Sequence, residues 1–173
     1  LAGNRAKLLG LFGSFNVRLG RLEKAALAYD EALTISQETG ERELEGRVLD
    51  RLGDLCIRQV RMDEALAFSI EALGIAREMN NPQLQATALG TVSMALRLRG
   101  RMDEALSHYI EALAILQKVG NSRGEGVILV NLASLHMNQG RVEQALSQFN
   151  RALAIALEVG ERGLEGVVRL QLG

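Results

Sequence analysis

Two histidines, one cysteine and a scatter of carboxylates are the groups in this chain best equipped for chemistry. A catalytic thiol needs a depressed pKa and a base in reach, and a zinc site needs three or four Cys, His or carboxylate ligands. Cys56 has no neighbouring histidine in the sequence and falls on an apolar stripe, which suits an inert thiol. His136 takes an inward position and is expected as a hydrogen-bonded core group, while His108 is expected at the surface. Neither has a Cys or His partner at metal-ligand spacing, so no metal site is expected. Every glycine has a place in a repeated pattern, which leaves none for a phosphate-binding loop. The chain is therefore expected to have no catalytic residue and no cofactor. Arg21, Arg61, Arg101 and Arg141 recur in step, each followed two residues later by Glu or Asp. As chemistry this would be an anion ladder. As structure, each arginine would bond the last carbonyls of one helix while the acid favours the start of the next. Recurrence in every copy favours the structural reading, because recognition usually varies between copies.

The elements that must position these groups repeat every 40 residues. Ala25, Ala65, Ala105 and Ala145 fall in step, as do Ala32, Ala72, Ala112 and Ala152, and Ile35, Ile75, Ile115 and Ile155. Val48, Leu49, Leu52, Leu55 and Cys56 stand three and four residues apart, one apolar face of a helix. Met62, Ala65, Leu66, Ala72, Leu73 and Ile75 repeat that spacing after a short turn. Each unit thus reads as two antiparallel helices. First helices are expected near 2–18, 42–58, 82–98, 122–138 and from 162 onward, second helices near 22–38, 62–79, 102–118 and 142–158. Gly20, Gly40, Gly100, Gly120, Gly140 and Gly160 mark the turns, where left-handed backbone is cheap only for glycine. Asn80 substitutes at one turn, followed by Asn81 as N-cap and Pro82 as first helical residue. Val60 occupies another, and a β-branched residue there predicts a distorted turn. Small residues at 25 and 32 let the partner helix approach, with Tyr29, Tyr109 and Phe149 filling the gap between. The second unit has Ser69 there, and Phe68 one position earlier is expected to miss that pocket, making this unit the softest.

A period of this length marks a solenoid, in which each unit buries its apolar face on the next. The fold class is all-α, a right-handed superhelix of hairpins forming a single solenoid over 1–173, with units at 2–40, 41–80, 81–120, 121–160 and a partial one at 161–173. The hydrophobic fraction of 47% supplies the interior, and a net charge of −1 with mixed signs argues against nucleic acid as a partner. No apolar run reaches the roughly 20 residues of a membrane span, so no membrane partner is expected. A lone cysteine fits a reducing, cytoplasmic setting. Starting at Leu1 within a unit and stopping within another, the chain reads as a fragment.

Large-then-small pairs in the first helices, followed by Ala, aromatic and Ala in the second, resemble the tetratricopeptide repeat. Phe12-Gly13 leads to Ala25, Tyr29 and Ala32, and Leu52-Gly53 to Ala65 and Ala72. Val92-Ser93 leads to Ala105, Tyr109 and Ala112, and Leu132-Ala133 to Ala145, Phe149 and Ala152. Leu172-Gly173 begins a fifth unit. The period exceeds the family's usual ~34 residues. It looks like the subgroup found in Pins/LGN scaffolds and in the sensor arms of bacterial regulators such as MalT and Rap proteins. The family's early Trp is replaced by Leu9, Leu49, Leu89 and Leu129.

The resemblance implies a concave groove lined by first helices. In this chain it places Lys7, Ser14, Arg47, Asp50, Arg51, Asp54, Arg58, Met94, Arg97, Asn131, Ser134, Met137 and Asn138 there. A polar groove of mixed charge would hydrogen-bond an extended or helical peptide. The bland alternative is a solvated face laced by ion pairs such as Arg47–Asp50. Asp50 and Asp54 stand where the family's two-carboxylate clamp needs Lys and Asn, so a C-terminal carboxylate ligand is not expected. The functional expectation is a non-catalytic scaffold binding a protein or peptide in its groove. The alternative is a sensor or regulatory arm of a signalling ATPase or transcription regulator, holding a small effector or its own effector domain. RNA recognition would need a base-reading code at fixed positions, and Arg51, Thr91 and Asn131 supply none. Leu164, Val167, Val168, Leu170 and Leu172 form an apolar strip at the C-terminal edge, where self-association is expected.

Overall fold

The computed structural model describes residues 2–172, and these residues form helices joined by tight turns. In order they are α1 (Ala2–Arg18), α2 (Leu22–Thr39), α3 (Arg42–Arg58), α4 (Met62–Glu78) and α5 (Pro82–Leu98). They continue as α6 (Met102–Lys118), α7 (Ser122–Asn138), α8 (Val142–Val159) and α9 (Arg162–Leu172). Every boundary falls within one residue of its expected place. Gly173, the last residue of the expected Leu172-Gly173 pair, lies outside the described residues.

The turns explain this regularity. The backbone N–H groups of Arg21, Arg61, Arg101 and Arg141 donate to the carbonyls of Asn16, Cys56, Leu96 and His136 at 2.8–2.9 Å. A left-handed residue just before each arginine makes this closure possible. The recurring arginines therefore bond the last carbonyls of the preceding helix, and they do so with their backbone N–H groups. The side chains of Arg61 and Arg101 instead reach Glu64 and Glu104 three residues on. Val60 differs from expectation. Its turn is not distorted: φ is 62° and its N–H bonds Ile57 at 3.0 Å, just as Gly20 bonds Val17. The strain sits in Val60 itself, whose side chain is exposed. Asn80 is left-handed too, with φ 51°, and Asn81 caps α5 by accepting from the Leu84 N–H at 3.0 Å.

Ala25, Ala32, Ala65, Ala72, Ala105, Ala112, Ala145 and Ala152 are fully buried, and Tyr29, Tyr109 and Phe149 fill the space between them. A Cβ on Gly13 would overlap the Tyr29 ring, so large side chain and glycine are matched. Ser69 stands in that place in the second hairpin and bonds the Ala65 carbonyl at 2.6 Å. Phe68 is half-buried and packs between the cores on either side of α3. Leu33 and Leu113 join successive cores, so apolar burial is continuous along the stack. Each fully buried Leu or Phe contributes about 1.5–3 kcal/mol. His136 is buried as expected, and its Nδ1 finds no hydrogen-bond partner among the described residues. Burial, then the Arg141 charge, lowers its pKa. Burial raises that of the Cys56 thiol. No helix among the described residues is long and apolar enough to cross a membrane.

Candidate ligand groove

Neighbouring first helices, α1 with α3, α3 with α5, α5 with α7 and α7 with α9, touch one another. Among the described residues the second helices stand farther apart, with α4 and α6 bridged by the Arg77–Glu111 ion pair at 3.1 Å. Layers in contact on one side and splayed on the other make the stack curve toward its first helices. Cavities line up along that inner side. One of about 440 Å³ lies between α1 and α3 and includes Lys7, Arg47 and Arg51. Two more, of about 220 and 330 Å³, meet at Asp50 and Thr87. The largest, about 540 Å³, is walled by Asp54, Thr91, Met94, Asn121, Val127 and Asn131, with Gly90 beneath. Another of about 340 Å³ runs from Asn131 to Val167.

Lys7, Arg47, Asp50, Arg51, Asp54, Met94 and Asn131 thus share one groove, and Ser14 joins them, bonded to the Tyr29 hydroxyl at 3.1 Å. Arg58 lines none of these cavities and is tied to the groove only through Asp54, to whose Oδ2 its Nε donates at 2.8 Å. Arg97, Ser134, Met137 and Asn138 line none of these cavities. Ser134 bonds the Val130 carbonyl, and Met137 and Asn138 are exposed at the end of α7. The Arg97 Nε is turned inward beside the buried Tyr109, whose hydroxyl is pushed up to about 12 by burial against the opposing pull of Arg97.

The charges do not pair as expected. Arg47 bonds Glu43, one turn back, and not Asp50. Asp50 is 8% exposed and accepts a hydrogen bond from Thr91 Oγ1 at 2.8 Å. Burial raises its pKa from 3.8 to about 6; Thr91 opposes that rise, Asp54 adds to it and Arg51 opposes it. Arg51 has no ion-pair partner among the described residues and lies over Gly10, where a Cβ would come within 2.7 Å of its Nη1.

Thr91, a groove position together with Arg51 and Asn131, lines these cavities, and Thr87, Gly90 and Val127 do so without having been expected to. The signal was the register itself: Thr87 and Val127 stand one and two repeats after Arg47, and Thr91 one repeat after Arg51. At the C-terminal edge Leu164 and Val168 are buried against α8, while Val167 and Leu170 are exposed. A larger apolar face lies on α1, where Leu8, Leu11, Phe12 and Phe15 are all more than half exposed. Their counterparts Val48, Leu52 and Leu55 are buried because α2 lies over α3. Phe12, taken as an interior signature residue, is uncovered because no described helix lies over that side of α1.

Stacked helical hairpins with an inner, cavity-lined face define a helical-repeat interaction fold. A tetratricopeptide-repeat family model matches residues 4–78 and 84–158, and the chain belongs to that family. No curated protein sequence matches it. Among solved structures it is similar to a Rap protein complexed with competence and sporulation factor, with TM-score 0.89 and 16% identity over 97% of this chain and 47% of that one. It is also similar to BtubC from P. vanneervenii, with TM-score 0.76 and 26% identity over 91% of this chain and 64% of that one. A third is a signal transduction ATPase with a tetratricopeptide repeat sensor from Pyrococcus horikoshii, with TM-score 0.80 and 19% identity over 95% of this chain and 25% of that one. The chain therefore spans less than two thirds of each of these structures.

Proposed function

We propose that this chain is a non-catalytic protein-interaction module that binds a segment of a partner protein along α1, α3, α5 and α7. The observation that carries this is the unbroken run of cavities on the inner face, in which a charged stretch gives way to hydroxyl and apolar side chains. Such a surface can hold a peptide backbone by hydrogen bonds and read its side chains in the cavities. The recognition residues of this reading are Lys7, Arg47, Asp50, Arg51, Asp54, Met94 and Asn131, together with Thr87, Thr91 and Val127, which line the same cavities. The test is capture of partners from a lysate of the source cell on the immobilised protein, with Arg51→Glu/Asp54→Lys in parallel. A partner held by the wild type and lost by the double variant supports the groove; one held equally by both removes it.

A second reading is a sensor arm of a larger signalling protein. The cavity of about 540 Å³ between α5 and α7 favours it, since small-molecule sites commonly measure roughly 300–1,000 Å³. Saturable binding of a small metabolite, with no captured protein, would decide for this reading.

A further inference from the structure

Resting on the groove reading, the chemistry of the bound segment follows from Asp50 and its surroundings. We propose that the groove selects a peptide carrying a lysine or arginine side chain at Asp50, with a large aliphatic or aromatic side chain beside it in the α5–α7 cavity. Asp50 is more than nine-tenths buried, yet its hydrogen bond comes from a neutral hydroxyl, Thr91. None of the cations nearby is paired with it. Arg47 is held by Glu43 and Arg58 by Asp54. Arg18 and Arg51 line the same cavity without forming an ion pair to it. A buried carboxylate with no cation bonded to it, only the Arg51 charge acting at a distance, is costly, and a ligand ammonium or guanidinium bonded to it would reduce that cost.

The apolar half of the proposal comes from continuity. Thr87 borders both cavities at Asp50 and also the largest cavity, and Thr91 borders the second and the largest. The charged and apolar subsites are therefore contiguous. Ala86, Gly90, Met94, Val127 and Ile128 give the larger cavity its apolar lining. A Cβ at Gly90 would press on Ile128 at 3.0 Å, so the glycine lets α7's Ile128 lie close against α5 on the cavity's wall. In an extended peptide, side chains two residues apart point the same way, which sets the expected spacing of the basic and apolar residues.

The test begins with selection of short random peptides on the immobilised full chain. The best peptide and its Lys/Arg→Ala variant are then titrated by fluorescence anisotropy against wild type, Asp50→Asn and Val127→Glu. The proposal expects recovered peptides to carry Lys or Arg within two residues of a large apolar residue. It expects Asp50→Asn to weaken the best peptide by at least about tenfold and to abolish the difference from its Ala variant. Val127→Glu, at an exposed position, should weaken both peptides and preserve their difference. The comparison of the two peptides on wild type stands even if a protein variant misfolds. Peptides that lose affinity with Val127→Glu but lack a basic residue, or ignore Asp50→Asn, overturn this inference and leave the groove reading standing. Peptides indifferent to both substitutions, or no recovered peptide, overturn both.

Discussion

The groove half formed by α1 and α3 and the half formed by α5 and α7 share one backbone and differ in nearly every side chain they present. Where α3 shows Arg47, Asp50, Arg51 and Asp54, α5 shows Thr87, Gly90, Thr91 and Met94 at the same four positions. Beneath that face the two halves converge again, with Leu49 and Leu89 both buried under alanine-rich second helices. The difference teaches that the fold and the surface are written in separate columns of one repeat. Columns facing the partner helix keep mostly small or apolar residues, with Asn16 and His136 the buried exceptions in one column, because packing tolerates little else. Columns facing the groove are free to diverge, and their divergence makes one half charged and the other apolar.

The equivalence of the cores gives the largest effect. Leu49→Ala and Leu89→Ala should each cost about 2–5 kcal/mol in urea unfolding. A cost confined to one of them would break the claim that the halves share one scaffold. The difference between the faces should appear next in the pH dependence of stability. Asp50 titrates at about 6 in the fold against 3.8 ordinarily, so the folded state favours its protonated form. Its contribution is fully present below pH 3.8 and is lost as pH rises through about 6. Asp50→Asn should therefore stabilise by on the order of 2–3 kcal/mol at pH 7 and have little effect near pH 3.5. A gain independent of pH would remove burial of the charge as the cause.

The turns provide a smaller test. Val60→Gly after α3 should stabilise by about 1 kcal/mol, and Gly100→Val at the matching turn after α5 should cost at least that much. Equal melting temperatures in both pairs would show that these turns carry no strain. Smallest of all, Arg58→Ala at the exposed Arg58–Asp54 pair should change stability by less than ~1 kcal/mol.

The scaffold was legible because its determinants are local and repeated. Alanine at 25 and 32, glycine or asparagine at the turns, and the Asn81-Pro82 start each act within one helix or hairpin and recur in step. What escaped was set by contacts between copies. Asp50 pairs with Thr91 from the next hairpin, while its expected partner Arg47 turns back to Glu43. The turn arginines act through their backbone, which no side-chain pattern reveals. The exposure of Phe12 depends on what lies beside α1, since the same position is buried in the later hairpins as Leu52, Val92 and Leu132. The column through Arg51 leads to Thr91 and Asn131, and the column through Arg47 leads in the same way to Thr87 and Val127.

Site-specific photo-cross-linking tests the central claim most directly. A photoreactive amino acid at Thr87, on the inner face, is compared with one at Ile70, exposed on α4, using captured partner or selected peptide. The account predicts cross-links from position 87 and none from position 70. Cross-links from position 70 alone would place recognition on the second helices and contradict it.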